Sequence, residues 1–214
     1  MPTRPVPSTQ EVTLACDAVE LPGLLTLPDD ARGMVLFAHG SGSSRLSSRN
    51  QFVARVLNDA RIGTLLFDLL TERESGSRAN VFDIPLLAGR LAAGADWVRR
   101  QEATRALRLG YFGASTGAAA ALQAAADDAT VAAVVSRGGR PDLAGDALGR
   151  VQAPTLLIVG GDDTVVLDLN RRAQSLMRCV CELTVVPEAG HLFEEPGCLE
   201  QVAELARRWF ERHL

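Results

Sequence analysis

Short apolar runs alternate with longer helical patterns along almost the whole chain of 214 residues. The runs at 34–38 and 155–160, for example, have the length and the β-branched content of buried strands. Alternating strands and helices pack as a mostly parallel sheet with helices on both faces. We therefore predict an α/β fold with about seven to eight strands. An antiparallel hairpin at Val12–Ala15 and Gly23–Leu27 is expected to start the sheet.

Length and composition favour a single domain over residues 1–214, whose first nine residues include three prolines and are expected to be flexible. The net charge of -4 offers no basic surface for nucleic-acid phosphates. The N-terminus lacks the apolar segment of a secretory signal, and no stretch reaches the roughly 20 apolar residues that span a bilayer. We expect a cytoplasmic protein with neither a nucleic-acid nor a membrane partner. The sequence indicates no oligomeric state.

Strands and helices account for nearly all of the residues, so no large cap domain is expected. The segments at 71–80 and 137–143 are expected to be irregular loops, and the C-terminus around His213 is expected to fray. Helices are predicted at about Ser48–Ala60, Phe82–Arg100 and Asp168–Arg178, and in a closing segment whose apolar stripe contains Leu199, Val202, Ala203, Ala206, Trp209 and Phe210.

The segment LGYFGASTGAAAALQAAA, residues 109–126, predicts a strand, a glycine-rich turn and a helix. Such a turn either holds a phosphate at the helix N-terminus or presents a serine nucleophile. Its glycines lack the G-x-G-x-x-G spacing of a dinucleotide site, and no lysine follows them as in a phosphate-binding loop. Residues 113–117 instead match G-x-S-x-G. Ser115 is therefore the candidate nucleophile, with Gly113 and Gly117 as steric clearance.

A serine nucleophile needs a general base and an acid that orients the base. In this architecture they follow in the chain order serine, acid, histidine. Of the three histidines, His39 precedes the serine and His213 lies at the C-terminus. His191 follows the last predicted strand and is therefore the candidate base.

Two neighbouring residues, Asp162 and Asp163, are candidates for the acid at the end of a predicted strand. Successive side chains of a turn point in different directions, so one can face the imidazole while the other does not. Capping of the following helix is the alternative role for Asp163. The residues alone leave this choice open.

Two backbone N–H groups are candidates for an oxyanion hole. Thr116 follows the nucleophile at a helix N-terminus, where backbone N–H groups are free to bind an anion. The loop FAHGSGSS, residues 37–44, is rich in small residues, and Ser41 occupies the position expected for the second donor. A solvated Gly/Ser loop without such a role is the alternative.

With the G-x-S-x-G turn at Ser115, the acid pair, the histidine and the HGSG loop, the chain resembles an α/β-hydrolase of the compact, lidless branch similar to dienelactone hydrolases. The resemblance extends from about residue 12 to the C-terminus and rests on strings such as FAHGSGSSRLSSRN, TLLFDLLTERE, SRGGRPDLA and AGHLFEEPGCLE. It resembles in particular a bacterial group that in some genomes is joined to a phosphoribosyltransferase domain.

The resemblance implies a Gly-x-x-Asp spacing for the acid, which favours Asp163 over Asp162. Dienelactone hydrolases proper use cysteine where this chain has Ser115, so the resemblance implies ordinary serine esterase chemistry rather than dienelactone as the substrate. We expect cleavage of a carboxylic ester, thioester or lactone of a small soluble molecule, without a cofactor or a metal. Acyl transfer by the same triad, or a binding or regulatory protein without turnover, is the alternative.

Three arginines in the predicted loops leave the charge of the substrate open. They favour a carboxylate-bearing substrate if they reach the site, whereas pairing with nearby carboxylates would satisfy them elsewhere. The arginines are Arg78, Arg137 and Arg140, and the carboxylates are Glu72, Glu74 and Asp142.

Overall fold

The computed structural model describes residues 8–16 and 18–214. The strands in this part of the chain are β1 (Thr9–Cys16), β2 (Val19–Thr26), β3 (Gly33–Ala38), β4 (Ile62–Phe67), β5 (Arg108–Ala114), β6 (Val131–Arg137), β7 (Thr155–Gly160) and β8 (Cys181–Val186). The helices are α1 (Ser48–Asp59), α2 (Glu72–Ser75), α3 (Arg78–Val81), α4 (Ile84–Arg100), α5 (Thr116–Asp127), α6 (Thr164–Leu176) and α7 (Cys198–His213). Pro141–Arg150 forms 3-10 turns with a kink at Gly145.

The strands form one sheet in the order β1-β2-β4-β3-β5-β6-β7-β8. β2 pairs in antiparallel fashion with β1 and β4, and the remaining neighbours are parallel. The predicted α/β fold with an antiparallel start is confirmed. Thr9 already belongs to β1, and its hydroxyl lies 2.8 Å from that of Thr26, so the ordered hairpin begins within the segment expected to be flexible. Residues 1–7 of that segment lie outside the described residues.

Helices cover both faces of the sheet. α4 and α5 pack with the 3-10 turns on one face, and α1 and α7 pack on the other. Every residue of β3, β4 and β7 is buried, as expected for strands enclosed on both sides. The predicted apolar stripe of α7 packs against the second face. This arrangement leaves the carboxyl ends of the parallel strands as the edge where the loops gather.

Three local predictions differ from the structure. α6 begins at Thr164, immediately after the acid pair, rather than near 168. The segment at 71–80 forms α2 and α3 instead of a loop, because Thr71 and Glu74 make a reciprocal capping box that starts α2. The C-terminus does not fray, since α7 continues to His213, whose ring centre lies 4.6 Å from that of Trp209.

Candidate active site

Ser115 lies in a strained turn between β5 and α5, with φ 51° and ψ -122°. Such a positive φ is uncommon for a residue with a side chain and is typical of functional turns. A Cβ atom on Gly113 would lie 2.4 Å from the Cα of Ala118, and one on Gly117 would lie 2.1 Å from the carbonyl oxygen of Ala38. Helix and strands therefore approach so closely that only glycine fits on either side of the serine.

Gly117→Ala is expected to destabilise the fold by about 3 kcal/mol or more, because the added methyl group meets backbone atoms that cannot move aside. Gly89→Ala in α4 is the matched control, since its Cβ would meet nothing within 4 Å. That control should stabilise the protein by up to about 1 kcal/mol. Urea unfolding measures both changes, and equal midpoints for the two variants would contradict the steric argument.

Asp163 and His191, the candidate acid and the candidate base, are in direct contact. The Oδ2 atom of Asp163 lies 2.6 Å from Nδ1 of His191. Asp163 occupies the N-cap position of α6, but its side chain makes no capping hydrogen bond. The side chain of Asp162 is exposed and makes no hydrogen bond within the described chain. A proton on Nδ1, donated to the carboxylate, leaves the lone pair of Nε2 free to accept another proton.

The segment after β6 joins the serine to the histidine. The N–H of Ser115 donates to the carbonyl of Arg137 at 3.3 Å, and the N–H of Arg140 donates to the carbonyl of Ser115 at 3.0 Å. Between them lies Gly138, at φ +50°, where a Cβ would be 3.6 Å from Nδ1 of His191. The Ser115 hydroxyl itself has no hydrogen-bond partner among residues 8–16 and 18–214. Ser115 and His191 thus border one segment, without a direct hydrogen bond between their side chains.

The two candidate oxyanion donors lie beside the turn that contains Ser115. Thr116 is the first residue of α5, and Ser41 lies in the loop after β3. Neither backbone N–H donates a hydrogen bond within the part of the chain that the structure describes. Gly40 abuts the serine, since a Cβ there would lie 3.0 Å from Cβ of Ser115. Both N–H groups are therefore available to an oxygen atom bound next to Ser115.

Contacts near both ends fix the loop that contains Ser41. The N–H of Leu69 donates to Nε2 of His39 at 3.0 Å, and Nδ1 of His39 lies 3.0 Å from the carbonyl oxygen of Gly40. At the other end of the loop, the backbone N–H and Nη1 of Arg45 donate to the two carboxylate oxygens of Asp68 at 2.6 and 2.5 Å. These contacts anchor the loop to the end of β4 on either side of Ser41.

Sequence reasoning missed this supporting role for His39 and Arg45. The contacts join residues about 23 to 30 positions apart, and no local pattern predicts such pairs. Glu195 was missed for a similar reason. Its Oε1 accepts a hydrogen bond from the N–H of Gly190 at 3.0 Å and so supports the loop next to His191.

Protonation of His39 is expected to destabilise the protein in mild acid. Burial lowers the pKa of His39 below its ordinary value of 6.5 and outweighs the opposing effects of the Gly40 carbonyl and Asp68. The folded protein therefore binds this proton less readily than the unfolded chain, so the stabilisation is complete above pH 6.5 and is lost as the pH falls towards the folded-state pKa.

His39→Gln should remove this part of the pH dependence, because the glutamine amide can accept from Leu69 and donate to Gly40 without titrating. Urea unfolding between pH 5 and pH 8 measures the free energy of unfolding of both proteins. We expect the difference between the wild type and the variant to narrow at low pH. A difference that is constant over this range would show that His39 does not titrate on unfolding.

A cavity of about 200 Å³ opens beside the loop that contains Ser41, which we call the oxyanion loop. Its walls come from the loops after β3 and β4, from α2 to α4, and from the start of α5. The lining side chains with apolar character are Leu70, Val81 and Leu87. No Asp, Glu, Lys or Arg belongs to this lining, so the cavity suits a small uncharged group.

The three loop arginines have different environments. Arg140 binds Asp142 through Nε and Nη2, at 2.8 and 2.7 Å, so the pairing alternative is correct for this residue. The guanidinium carbon of Arg78 lies 5.4 Å from the centre of the Phe82 ring. Arg137 is buried and makes no ion pair within the described residues.

The family of the chain follows from comparison with known proteins. The model of the dienelactone hydrolase family matches residues 58–214. The chain belongs to this family. Its fold is the α/β-hydrolase fold, as the solved structures of similar proteins also show.

The relatives of this dienelactone hydrolase family member differ in length and in name. A dienelactone hydrolase from Anabaena variabilis is 52% identical, with a TM-score of 0.95 over 98% of this chain and 99% of that one. Est1E from Butyrivibrio proteoclasticus is 15% identical, with a TM-score of 0.80 over 94% and 98% of the two chains. A Mycobacterium tuberculosis H37Rv protein, provisionally named a phosphoribosyl transferase, is 63% identical over 206 residues. Those residues are 96% of this chain and 46% of the relative, so the chain spans about half of the relative's length.

Two further properties concern metals and membranes. In residues 8–16 and 18–214 of this family member, no group of three or more His, Cys, Asp or Glu side chains is placed to bind a metal ion. Among the helices of the same residues, none has both the length and the apolar character of a membrane-spanning segment.

Proposed function

We propose that this chain is a serine hydrolase that cleaves a carboxylic ester, thioester or lactone of a small soluble substrate through an acyl-enzyme on Ser115. Asp163 and His191 act as the acid and the base. The observation that carries the proposal is the 2.6 Å contact between Asp163 and Nδ1 of His191, which lies beside a serine held in a strained strand–helix turn. The chain order serine, acid, histidine is the one that this turn requires, and the contact with Asp163 orients the imidazole for the role of base.

The reaction begins when the Ser115 hydroxyl attacks the carbonyl carbon and its proton moves to Nε2 of His191. The negative charge that forms on the carbonyl oxygen is stabilised by the N–H groups of Ser41 and Thr116. As the tetrahedral intermediate collapses, the bond to the leaving oxygen or sulfur breaks and His191 returns the proton to that atom. Water then attacks the acyl-enzyme in the same way, which releases the acid and restores Ser115. Asp163 holds the imidazole in the required tautomer throughout.

The cavity next to the oxyanion loop supports a small substrate. Its volume of about 200 Å³ is below the range of about 300–1,000 Å³ that is typical of drug-sized ligand sites. The lining of Leu70, Val81 and Leu87 favours a short apolar group over a charged one. We therefore assign the acyl half of the substrate to this cavity.

The names of the relatives support a hydrolase more than a transferase. The Anabaena protein named dienelactone hydrolase aligns over nearly its whole length, whereas the mycobacterial proteins are about twice as long as the aligned part. Their name therefore describes proteins with a large additional part. Hydrolysis is the activity that we assign to the part held in common.

Labelling with a fluorophosphonate probe tests the proposal. The probe should form a covalent bond to Ser115 of the wild-type protein with loss of fluoride, and peptide mapping by mass spectrometry locates the modified residue. Ser115→Ala should not be labelled. A wild-type protein that does not react, or a Ser115→Ala variant that reacts equally fast, would overturn the assignment of the nucleophile.

A further inference from the structure

Arg137 has a buried guanidinium group that finds no acceptor among residues 8–16 and 18–214. The residue is 7% exposed, and its Nε atom is fully buried without a hydrogen-bond partner. The two terminal nitrogens also lack partners within the described residues, but they are not fully buried. An uncompensated buried charge is costly, so natural proteins pair such groups or use them to bind an anion.

Arg137 lies next to the catalytic groups, on the face of the sheet beneath α1. Side chains alternate along a strand, and Ala133 and Val135 of β6 belong to the core under α1 and α7, which places Arg137 on that face. Its guanidinium carbon is 6.0 Å from the centre of the Phe193 ring, two residues after His191. Its own carbonyl accepts the N–H of Ser115.

Among the described residues, the surroundings of Arg137 contain further donors, and no carboxylate compensates its charge. Burial lowers the pKa of Arg137 to about 10, and the nearby charge of Arg49 adds to this effect. Arg49 binds Glu194 through Nη1 at 3.2 Å, but its Nε is likewise buried and has no partner in the described part of the chain. Arg137 still carries its charge at neutral pH, and two guanidinium groups with unused N–H donors lie in the same region.

The order of the strands separates Arg137 from the acyl cavity. β3 and β4 lie on one side of β5, which leads to Ser115, and β6, β7 and β8 lie on the other. The cavity is lined from the loops after β3 and β4. Arg137 is the last residue of β6, and Asp163 and His191 follow β7 and β8. A substrate bound across Ser115 would therefore have one half in the uncharged cavity and the other half towards Arg137.

We propose that Arg137, with Arg49 beside it, binds an oxoanion, either a carboxylate or a phosphate, carried by the leaving half of the ester. This inference rests on the proposed function, because His191 protonates the leaving oxygen and so defines the side on which that half lies. Two parallel N–H donors of a guanidinium match two oxygens of a carboxylate or phosphate. A free anion has the same chemistry, and the experiment below separates the two sources.

Two matched pairs of esters test where the charge is recognised. In the first pair, para-acetoxybenzoate has a carboxylate on the leaving phenol, and its methyl ester is neutral. In the second, para-nitrophenyl hydrogen succinate has the carboxylate on the acyl half, and para-nitrophenyl butyrate is neutral. Arg137→Gln should lower the charged-to-neutral ratio of kcat/KM about tenfold or more for the first pair and leave the second unchanged. Arg137→Lys should retain part of the preference, and Arg140→Gln, which removes a paired charge, should retain all of it.

Binding of inorganic phosphate provides a test that does not need turnover. In a Ser115→Ala background, phosphate should raise Tm relative to chloride at equal ionic strength, and Arg137→Gln should abolish the rise. Arg137→Gln should not itself lower Tm in chloride, because it removes an unpaired buried charge. An Arg137 with only a structural role would give the opposite result.

The outcomes are distinct. A fall in the ratio for the first pair alone supports the proposal. An unchanged ratio overturns it, and an Arg137-dependent phosphate effect in that case identifies a free-anion site instead. If the wild-type protein hydrolyses none of the esters, the proposed function fails, and the phosphate measurement alone tests the anion site. Loss of the Tm rise in Arg137→Gln then supports the anion site. An equal rise in both proteins, or no rise in either, overturns it.

Discussion

Ser115→Ala is expected to lower the kcat for hydrolysis of a para-nitrophenyl ester by about 10⁵- to 10⁶-fold, with no loss of folding. The alanine removes the proposed nucleophile but keeps the Cβ atom that packs against Gly40, so the strained turn has the same shape. What remains is catalysis by the oxyanion donors and by binding, which acts on direct attack by water.

Ser175→Ala is the matched control for this substitution. Ser175 lies on α6, where its exposed hydroxyl donates to the carbonyl of Arg172, and its loss should leave turnover unchanged. Circular dichroism and thermal unfolding check that both variants are folded. A Ser115→Ala variant with turnover within tenfold of the wild type would show that another group is the nucleophile.

The sheet could be predicted because its signal is local. Fully apolar runs such as Gly33–Ala38 and Thr155–Gly160 can be stable only where helices cover both faces of a strand. The turn at Ser115 was equally local, since Gly113 and Gly117 have a steric role that their spacing already indicates. Such features depend on a few neighbouring residues and therefore appear in the sequence.

Other parts of the site depend on contacts between distant segments. His39 could be placed in the loop, but its bond to Leu69 exists only when β3 and β4 lie side by side. The early start of α6 was missed because the acid pair was interpreted as part of a turn, although a helix that begins at Thr164 places Asp163 at its N-cap. Arg137 could be predicted only in part. The alternation of side chains along β6 indicates which face of the sheet Arg137 lies on, but it does not indicate that the guanidinium lacks an acceptor among the described residues.

Asp163→Asn is expected to lower kcat for the same ester by about 10⁴-fold, whereas Asp162→Asn should change it by less than about twofold. An asparagine at 163 offers an N–H where His191 needs an acceptor, and it therefore favours the tautomer with the proton on Nε2. That nitrogen can then no longer accept the proton of Ser115. Asp162 is exposed, and its side chain makes no hydrogen bond among the described residues, so its amide should be tolerated.

The comparison of these two neighbours separates the proposed role of Asp163 as the triad acid from a general effect of charge. Both substitutions remove one negative charge from the same turn, so a simple field effect would lower the activity of both variants to a similar extent. The loss in Asp163→Asn should lie in kcat rather than in KM, because the tautomer affects proton transfer and not substrate binding. Since Asp163 makes no capping bond to α6, its replacement should cost little stability. A larger loss in Asp162→Asn would show that Asp162 is the acid and that our assignment of Asp163 is wrong.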